Sequence, residues 1–357
     1  GGAARPGGTR GTARPDQARA GVPMRAEHMI AEHMTSHSTS QSTKVWQSWL
    51  GSHTFCCDGR FMFGPDIGVT LFAALLTLSI SLVFWVRVCP SLHVLATAGG
   101  VALYLANAAF MAVTATTDPG IIPRNTAMDD AEAAANSQSS RTQTVNGAVI
   151  QLKWCYTCRI WRPPRAAHCS ECNVCVERLD HHCPWMGQCI GRRNYRFFLG
   201  YVASTCLLCA YTSGLSLIVL VRAARHSRAK LILDVLVEGA VHAPAAALAV
   251  GLPALIVLCV APLLCYHTTL VCENKTTNEE IKAPYGRNNP FSLGWRRNCD
   301  DACCAEREHS RIHLRALACE AQSSTAWRTE EGGLEGEEVC QVAPPLAAAG
   351  SEVDLDV

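Results

Sequence analysis

Charged and aromatic residues are scarce in this 357-residue chain. Asp, Glu, Lys and Arg make up 17% of it and aromatic residues 7%, whereas hydrophobic residues reach 49%. Soluble domains usually carry about 25% charged residues, so the shortage favours a membrane protein. The formal net charge is only +1. A nucleic-acid-binding domain would show a clear basic excess, and we therefore expect no nucleic-acid partner.

Long apolar runs are missing from the first sixty residues, so we expect no secretory leader there. Residues 1–43 are rich in Gly, Ala, Arg, Ser and Thr and have almost no aromatic or apolar β-branched side chains. Such a segment buries too little apolar surface to offset the entropy of ordering. It is predicted to be a disordered tail.

Four uncharged apolar stretches follow, each near or above the ~20 residues that a helix needs to cross a bilayer. They cover residues 67–86, 94–115, 197–221 and 245–271. Buried helices of a large soluble core are the alternative, but these normally keep one polar stripe. The pattern predicts an all-α membrane protein with four transmembrane helices, the fourth kinked at Pro253 and Pro262.

Lysine and arginine are distributed unevenly around these stretches. Ten lie between the second and third, only one lies between the first and second, and four lie between the third and fourth. Positive flanks stay in the cytosol, so both termini and the central loop are predicted to be cytosolic. The basic cluster 222–230 argues mildly for the opposite orientation. The central loop outweighs it, and the many thiols of that loop suit a reducing compartment.

The predicted organisation divides the chain into seven segments. They are a disordered tail (1–43), a juxtamembrane segment (44–66), helices one and two (67–116), a cytosolic loop (117–196) with a cysteine-rich domain (153–198), helices three and four (197–272), a second juxtamembrane segment (273–300) and a flexible tail (301–357). Within this last tail, a short helix around residues 309–322 is expected to lie at the membrane.

Seven of the twenty cysteines and three histidines lie close together in the central loop, between Cys155 and Cys189. Three C-x-x-C pairs recur there, a spacing that brings two sulfurs onto one tetrahedral ion. Thiolates and imidazoles are the ligands that zinc prefers. Disulfides and unliganded core thiols are remote alternatives. The loop is therefore predicted to bind zinc.

Two of the ten candidate ligands are not needed to bind two zinc ions. Two closed four-coordinate sites use eight of the ten candidates, so one cysteine and one histidine remain. The run Asp180-His181-His182-Cys183 offers a thiol, an imidazole that can accept its proton and a carboxylate that can orient the ring. Adjacent side chains of an extended segment point apart, so one histidine faces zinc and the other faces the thiol. The spacing does not tell which.

Three sequence motifs carry a resemblance to a known family. They are the cysteine-rich run continued through Asn194 and Phe198, the triplet Asp118-Pro119-Gly120 after the second stretch, and Thr276-Thr277-Asn278-Glu279 after the fourth. Together with the four stretches, the chain resembles the DHHC-type protein S-acyltransferases, or palmitoyltransferases, over residues 65–300. The segment 46–65 is similar to the corresponding segment of plant and green-algal members of this family.

The resemblance implies a role for each site residue. One zinc ion would take Cys155, Cys158, His168 and Cys175, and the other Cys169, Cys172, His182 and Cys189. The acylated nucleophile would be Cys183, with His181 as its base and Asp180 as the residue that fixes His181. Thr277 would lie near Asp180, and Asn298 would be a buried anchor, although Cys299 stands where members often carry an aromatic residue.

The predicted activity is transfer of a long acyl group from acyl-CoA to Cys183 and then to cysteines of proteins at the cytosolic membrane face, with ping-pong kinetics. Arg192, Arg193 and Arg196 are candidates for the anionic CoA head, although solvated flanking charges would look the same. The predicted location is an endomembrane or the plasma membrane.

Two other functions are compatible with parts of the pattern. A membrane-anchored zinc module that only binds partners explains eight ligands but not the remaining Asp-His-Cys set. A four-span transporter would need ionisable residues within its spans, and these spans have almost none. Cys272, Cys303 and Cys304 follow the last span and are either acylated or passive surface thiols.

Overall fold

The computed structural model describes residues 43–224, 232–285 and 288–318. The predicted N-terminal tail up to residue 42, most of the 222–230 basic cluster and the chain beyond residue 318 lie outside the described residues.

Four helices in the described part of the chain are long and apolar enough to cross a membrane, which confirms the predicted number. The candidate spans are Ile67–Ser91, Val94–Thr116, Tyr195–Ala224 and Pro244–Glu273. The first contains helix α1 (Ile67–Val83), which continues as a π-helical turn, Phe84–Val88, and a 3₁₀ turn, Cys89–Ser91. Pro90 lies within this last turn and cannot continue a regular helix.

The other helices are α2 (Val94–Thr116), α3 (Asp130–Gln138), α4 (Tyr195–Ala224), α5 (Ile232–His242), α6 (Pro244–Glu273), α7 (Thr277–Lys282) and α8 (Trp295–Cys303). Helix α4 packs against α2, α5 and α6. Polar contacts support this packing, because Asn107 of α2 donates to Ser204 Oγ at 3.1 Å and to Thr205 Oγ1 at 2.7 Å. Leu75 and Leu258 are more than 60% exposed, as side chains that face lipid would be.

The residues between α2 and α4 form short antiparallel hairpins. Their strands are β3 (Ile121–Ile122), β4 (Thr142–Val145), β5 (Ala148–Gln151), β6 (Lys153–Cys155), β7 (Ile160–Arg162), β8 (Ala167–Cys169), β9 (Val174–Val176), β10 (His181–Cys183) and β11 (Gln188–Ile190), and they pair as β4-β5, β6-β7, β3-β9-β8 and β10-β11. An earlier hairpin joins strand β1 (Thr54–Cys56) to strand β2 (Phe61–Phe63).

Two of these hairpins turn at a C-x-x-C pair. The residue after each pair, Arg159 or Asn173, has a positive φ of 52° or 53°. The backbone N–H groups of Cys158 and Cys172 point back at the first sulfur of their own pair, each at 3.4 Å. The turn therefore brings both sulfurs of a pair to the same side, where an ion can bind them.

The beginning of the predicted flexible tail is folded in the structure. Ile312 is buried in the cysteine-rich domain, and Ser310 donates to Asp118 Oδ2 at 2.6 Å. Residues 311–317 are not helical, in contrast to the short helix expected there. They pair instead with the N-terminal juxtamembrane segment, since the N–H of Val45 donates to the Ala316 carbonyl at 3.0 Å. A few apolar side chains and backbone pairing thus hold this segment in place.

Candidate active site and metal centres

Two groups of three cysteines and one histidine converge in the cysteine-rich domain. The first contains Cys155, Cys158, His168 and Cys175, and the second contains Cys169, Cys172, His182 and Cys189. Within each group the sulfur atoms and one ring nitrogen all lie within 4.8 Å of one another. These are the same two sets that the family resemblance implies. In each histidine, Nδ1 is the nitrogen that faces the sulfurs.

The distances within each group fit a tetrahedral ion. Zinc–sulfur bonds of about 2.3 Å and zinc–nitrogen bonds of about 2.0–2.1 Å place sulfur and nitrogen about 3.6 Å apart across a tetrahedral edge. The distances from His168 Nδ1 to its three sulfurs are 3.6, 3.4 and 3.7 Å. Those from His182 Nδ1 are 3.6, 3.4 and 3.8 Å. Either group could therefore bind a metal ion with all four positions filled by protein.

Strand β10 separates the two adjacent histidines. Side chains alternate along a strand, so His181 and Cys183 share one face while His182 points to the other. His182 accordingly joins the second metal group, and His181 lies on the side of the thiol. The pairing of β10 with β11 sets this register, with His182 opposite Cys189, another member of that group.

Asp180 holds the His181 ring. Its Oδ2 lies 2.6 Å from His181 Nδ1, and its side chain is completely buried. With Nδ1 bound to the carboxylate, Nε2 is the nitrogen left to accept a proton from Cys183. Burial lowers the pKa of His181, but the Asp180 carboxylate and the Cys183 sulfur outweigh it and raise that pKa to about 9. Burial acts to raise the pKa of Asp180, and hydrogen bonds from His181 and Thr277 lower it below its usual value.

The segment after the fourth membrane helix anchors Asp180. Thr277 donates to the carboxylate twice, from its backbone N–H at 2.9 Å and from its hydroxyl at 2.8 Å. Thr276 caps helix α7 reciprocally with Glu279. Glu279 also forms a bidentate, almost completely buried ion pair with Arg165, at 2.7 Å for each bond. This motif therefore connects the cysteine-rich domain to the end of α6.

The Asp118-Pro119-Gly120 motif has a similar connecting role. Asp118 Oδ1 accepts from the backbone N–H groups of Gly120 and Ile121 at 2.9 and 2.8 Å. Its other oxygen accepts from Arg193 at 2.6 Å, and both of these side chains are only 9% exposed. Arg193 further donates to the carbonyl of Glu308. The motif thus joins the end of α2 to the start of α4.

The three arginines that are candidates for binding the CoA head differ in their exposure and in their hydrogen-bond partners. Arg193 is buried and bound to Asp118, so it is a structural residue here. Arg192 is 38% exposed and pairs with Glu308, and Arg196 donates to the Ala305 carbonyl. Arg192 and Arg196 line a cleft together with Arg178 and Lys275. Six basic and three acidic side chains line this cleft, near the start of α4 and the end of α6, and the basic excess suits it to an anionic group.

Asn298 is fully buried, as the resemblance implies, even though Cys299 follows it. Its amide donates to the Cys272 carbonyl at 2.8 Å, and its side-chain oxygen accepts from the N–H of Leu293 at 2.9 Å. It thereby fixes helix α8 to the end of α6.

Cys183 lies at the junction of the cysteine-rich domain and the membrane helices. The residue is only 7% exposed and packs in one apolar cluster with Ala73 of α1, Met111 of α2, and Phe198 and Val202 of α4. Val260 and Leu264 of α6 border the same cluster. The thiol therefore adjoins all four membrane helices, where an apolar chain can approach it.

One residue of the site was not predicted from the sequence. His267, on α6, is 1% exposed, and its ring centroid is 5.9 Å from that of His181. Its Nδ1 lies 3.0 Å from the hydroxyl of Tyr195. A single ionisable residue in an apolar span is itself a sign of function, and this signal was available in the sequence.

Taken together, fold and site define an integral membrane protein that carries a buried thiol, imidazole and carboxylate at the ends of its helices. The DHHC palmitoyltransferase family model matches residues 148–284. Probable protein S-acyltransferase 3 of Arabidopsis thaliana is 35% identical over 320 residues, which cover 82% of this chain and 75% of that protein. Palmitoyltransferase ZDHHC9 of Homo sapiens is 35% identical over 304 residues, which cover 77% of this chain and 80% of that protein.

The chain belongs to the DHHC palmitoyltransferase family. It is a multi-pass membrane protein and a protein S-acyltransferase, and the family resemblance found in its motifs is thereby confirmed. A zinc-binding module without acyl transfer is not favoured.

Proposed function

We propose that this chain transfers a long-chain acyl group from acyl-CoA to the sulfur of Cys183 and from there to a cysteine of a substrate protein. The single observation that carries the proposal is the location of Cys183. Its thiol lies beside the His181–Asp180 pair and at the same time in the apolar cluster that all four membrane helices line. An acyl chain in that cluster would contribute about 0.8 kcal/mol for each buried methylene.

The chemistry consists of two thioester exchanges. His181 Nε2 accepts the proton of Cys183, and the thiolate attacks the thioester carbonyl of acyl-CoA. The carbon–sulfur bond to CoA breaks, and the CoA sulfur leaves with the proton from His181. In the second exchange, the substrate cysteine gives its proton to His181 and attacks the Cys183 thioester, and Cys183 leaves as a thiol. CoA departs before the protein is acylated, so the kinetics are ping-pong.

Two zinc ions fit the two metal groups by ligand type and distance. With three cysteines and one histidine on each ion, no open position is left for substrate, so the zinc is structural. Its contribution is to hold the hairpins, and with them the Asp180–Cys183 run, in one conformation.

The CoA head would bind in the cleft lined by Arg178, Arg192, Arg196 and Lys275, on the side of the membrane that holds the metal groups. Arg193 would act only indirectly, through Asp118. The positive-inside rule and the many thiols favour a cytosolic position for this side and for both termini. The substrates would then be cysteine-containing proteins at the cytosolic face of an endomembrane or of the plasma membrane.

Covalent labelling tests the proposal. The purified protein is incubated with a clickable palmitoyl-CoA, and label released by hydroxylamine is measured on the wild type, Cys183→Ser and, as a control with an exposed thiol outside the site, Cys57→Ser. We expect label on the wild type and on Cys57→Ser, and none on Cys183→Ser with its metal content unchanged. Hydroxylamine-sensitive label of equal extent on Cys183→Ser would overturn the assignment of the nucleophile.

A further inference from the structure

Asp66 immediately precedes the first membrane helix, yet its carboxylate contacts a member of a metal group. Its Oδ2 lies 2.8 Å from Nε2 of His182, a residue 116 positions further along the chain. The side chain of His182 is 13% exposed, and that of Asp66 is 38% exposed. The contact therefore joins the start of α1 to the second metal group at the edge of the cysteine-rich domain.

The two nitrogens of the His182 ring have separate partners. Nδ1 faces the sulfurs of Cys169, Cys172 and Cys189 at 3.4–3.8 Å, and Nε2 faces Asp66. A ring that binds a metal through Nδ1 carries its proton on Nε2, and this N–H donates to the carboxylate. A carboxylate on the outer nitrogen fixes the orientation of the ring and increases the basicity of the nitrogen that binds the metal.

The backbone around Asp66 is held against the turn that follows Cys183. The N–H of Asp66 donates to the carbonyl of Gly187 at 3.3 Å. Gly64 lies so close to the same turn that a Cβ there would be 2.0 Å from the Gly187 oxygen. The backbone of Asp66 is therefore held beside this turn, with its carboxylate within reach of His182.

Among the residues that the structure describes, the other metal group has no such partner. Nε2 of His168 makes no hydrogen bond with any residue that the structure describes, whereas its Nδ1 faces three sulfurs just as that of His182 does. The two groups share the same ligand types and nearly the same distances. They differ in this outer carboxylate, so a change at Asp66 should affect one bound metal and not the other.

We propose that Asp66 is a positioning residue that secures the metal ion of the Cys169, Cys172, His182 and Cys189 group and couples that ion to the start of the first membrane helix. The inference rests on the proposed function, because it requires bound metal. His182 is the residue next to Cys183, so loss of the outer carboxylate also loosens the segment that holds the nucleophile. Removal of such an outer partner typically weakens metal affinity 10–100-fold.

The test compares metal retention in the full-length zinc-loaded protein for the wild type, Asp66→Ala and Asp66→Asn. The matched control is Asp58→Asn, a carboxylate of the same juxtamembrane segment that pairs with Lys44. Zinc transfer to a chromogenic chelator is followed over time. In Asp66→Ala we expect one of the two equivalents to bind roughly 10–100-fold more weakly and the other to stay unchanged. Asp66→Asn should be intermediate, because its amide oxygen still accepts a hydrogen bond.

A second measurement distinguishes weaker metal binding in the Asp66 variant from misfolding of the whole protein. Autoacylation of the Asp66→Ala protein should fall as zinc is withdrawn and recover when zinc is added in excess, and Asp58→Asn should follow the wild type throughout. Identical zinc transfer from Asp66→Ala and the wild type would overturn the inference, and so would equal weakening of both equivalents. A wild-type protein without bound metal would overturn both this inference and the structural zinc of the proposed function.

Discussion

The two adjacent histidines show that the surroundings of a side chain depend on the local backbone conformation. His181 and His182 have the same side chain and are neighbours in sequence, yet one ring contacts a buried carboxylate and the other faces three sulfurs. The sequence predicts that one should face metal and the other the thiol, but its spacing does not assign them. The pairing of β10 with β11 decides, because it sets His182 opposite Cys189 of the second metal group and leaves His181 on the face of Cys183.

Substitution of each histidine in turn should separate the two roles. For His181→Ala we expect a roughly 10²–10⁴-fold slower autoacylation with both metal equivalents retained, because the ring is a base and not a ligand. For His182→Ala we expect the loss of one equivalent, with activity lost as a consequence. Metal content by mass spectrometry and labelling with palmitoyl-CoA measure the two effects. Metal loss in His181→Ala with full occupancy in His182→Ala would reverse the assignment.

The place of His267 in the site was not predicted, and the reason also concerns a single residue. One histidine barely changes the hydropathy of a long apolar stretch, so residues 245–271 are recognised as a span without attention to it. Its meaning depends on which residues of another helix it meets. In the structure these are Tyr195 and Phe198 of α4, together with His181. A long-range packing relation of this kind is not encoded in any local spacing.

At the scale of elements, the membrane helices were the most predictable part. Their length and lack of charge follow directly from the bilayer thickness, and the structure contains all four. Their ends were less predictable, since α4 begins at Tyr195, before the apolar stretch, where the preceding Asn194 is buried and bonded to its neighbours. The segment 305–318 was hardest to predict, because its contacts come from only a few apolar residues and distant partners.

The short helix α7 depends on one buried ion pair. Arg165 and Glu279 are 8% and 5% exposed, and removal of one partner leaves the other charge buried and uncompensated. Glu279→Ala should therefore lower the free energy of unfolding by about 3–5 kcal/mol. The neighbouring Glu280 is 46% exposed and pairs with Lys275. Glu280→Ala should therefore change the free energy of unfolding by no more than about 1 kcal/mol. Thermal unfolding of the two detergent-solubilised variants measures the difference. Equal shifts would show that burial of the pair has no special effect.

At the scale of the whole molecule, Cys183, the proposed nucleophile, is positioned from two directions. The two metal groups shape the hairpins that carry Asp180, His181 and Cys183, and the membrane helices supply the apolar cluster around the thiol. The connections between these parts are the Asp118–Arg193 pair, the bonds of Thr277 to Asp180 and the contact of Asp66 with His182. Each connection joins residues far apart in the chain. For this reason the spacing of the motifs could not give the bonds between them, and only the proximity of Thr277 to Asp180 was expected, from the family resemblance.

Removal of the metal should show that the metal groups and the membrane helices are stabilised separately. A structural zinc ion bound at each metal group would contribute on the order of 10 kcal/mol to the folding of the segment that binds it, whereas the membrane helices are stabilised by the bilayer and by one another. A strong chelator should therefore abolish autoacylation of Cys183 and leave the helical content measured by circular dichroism nearly unchanged, with activity restored by added zinc. Undiminished acylation after complete loss of both ions would mean that the hairpins keep their geometry without metal. Parallel loss of helicity would mean that the two parts do not fold separately.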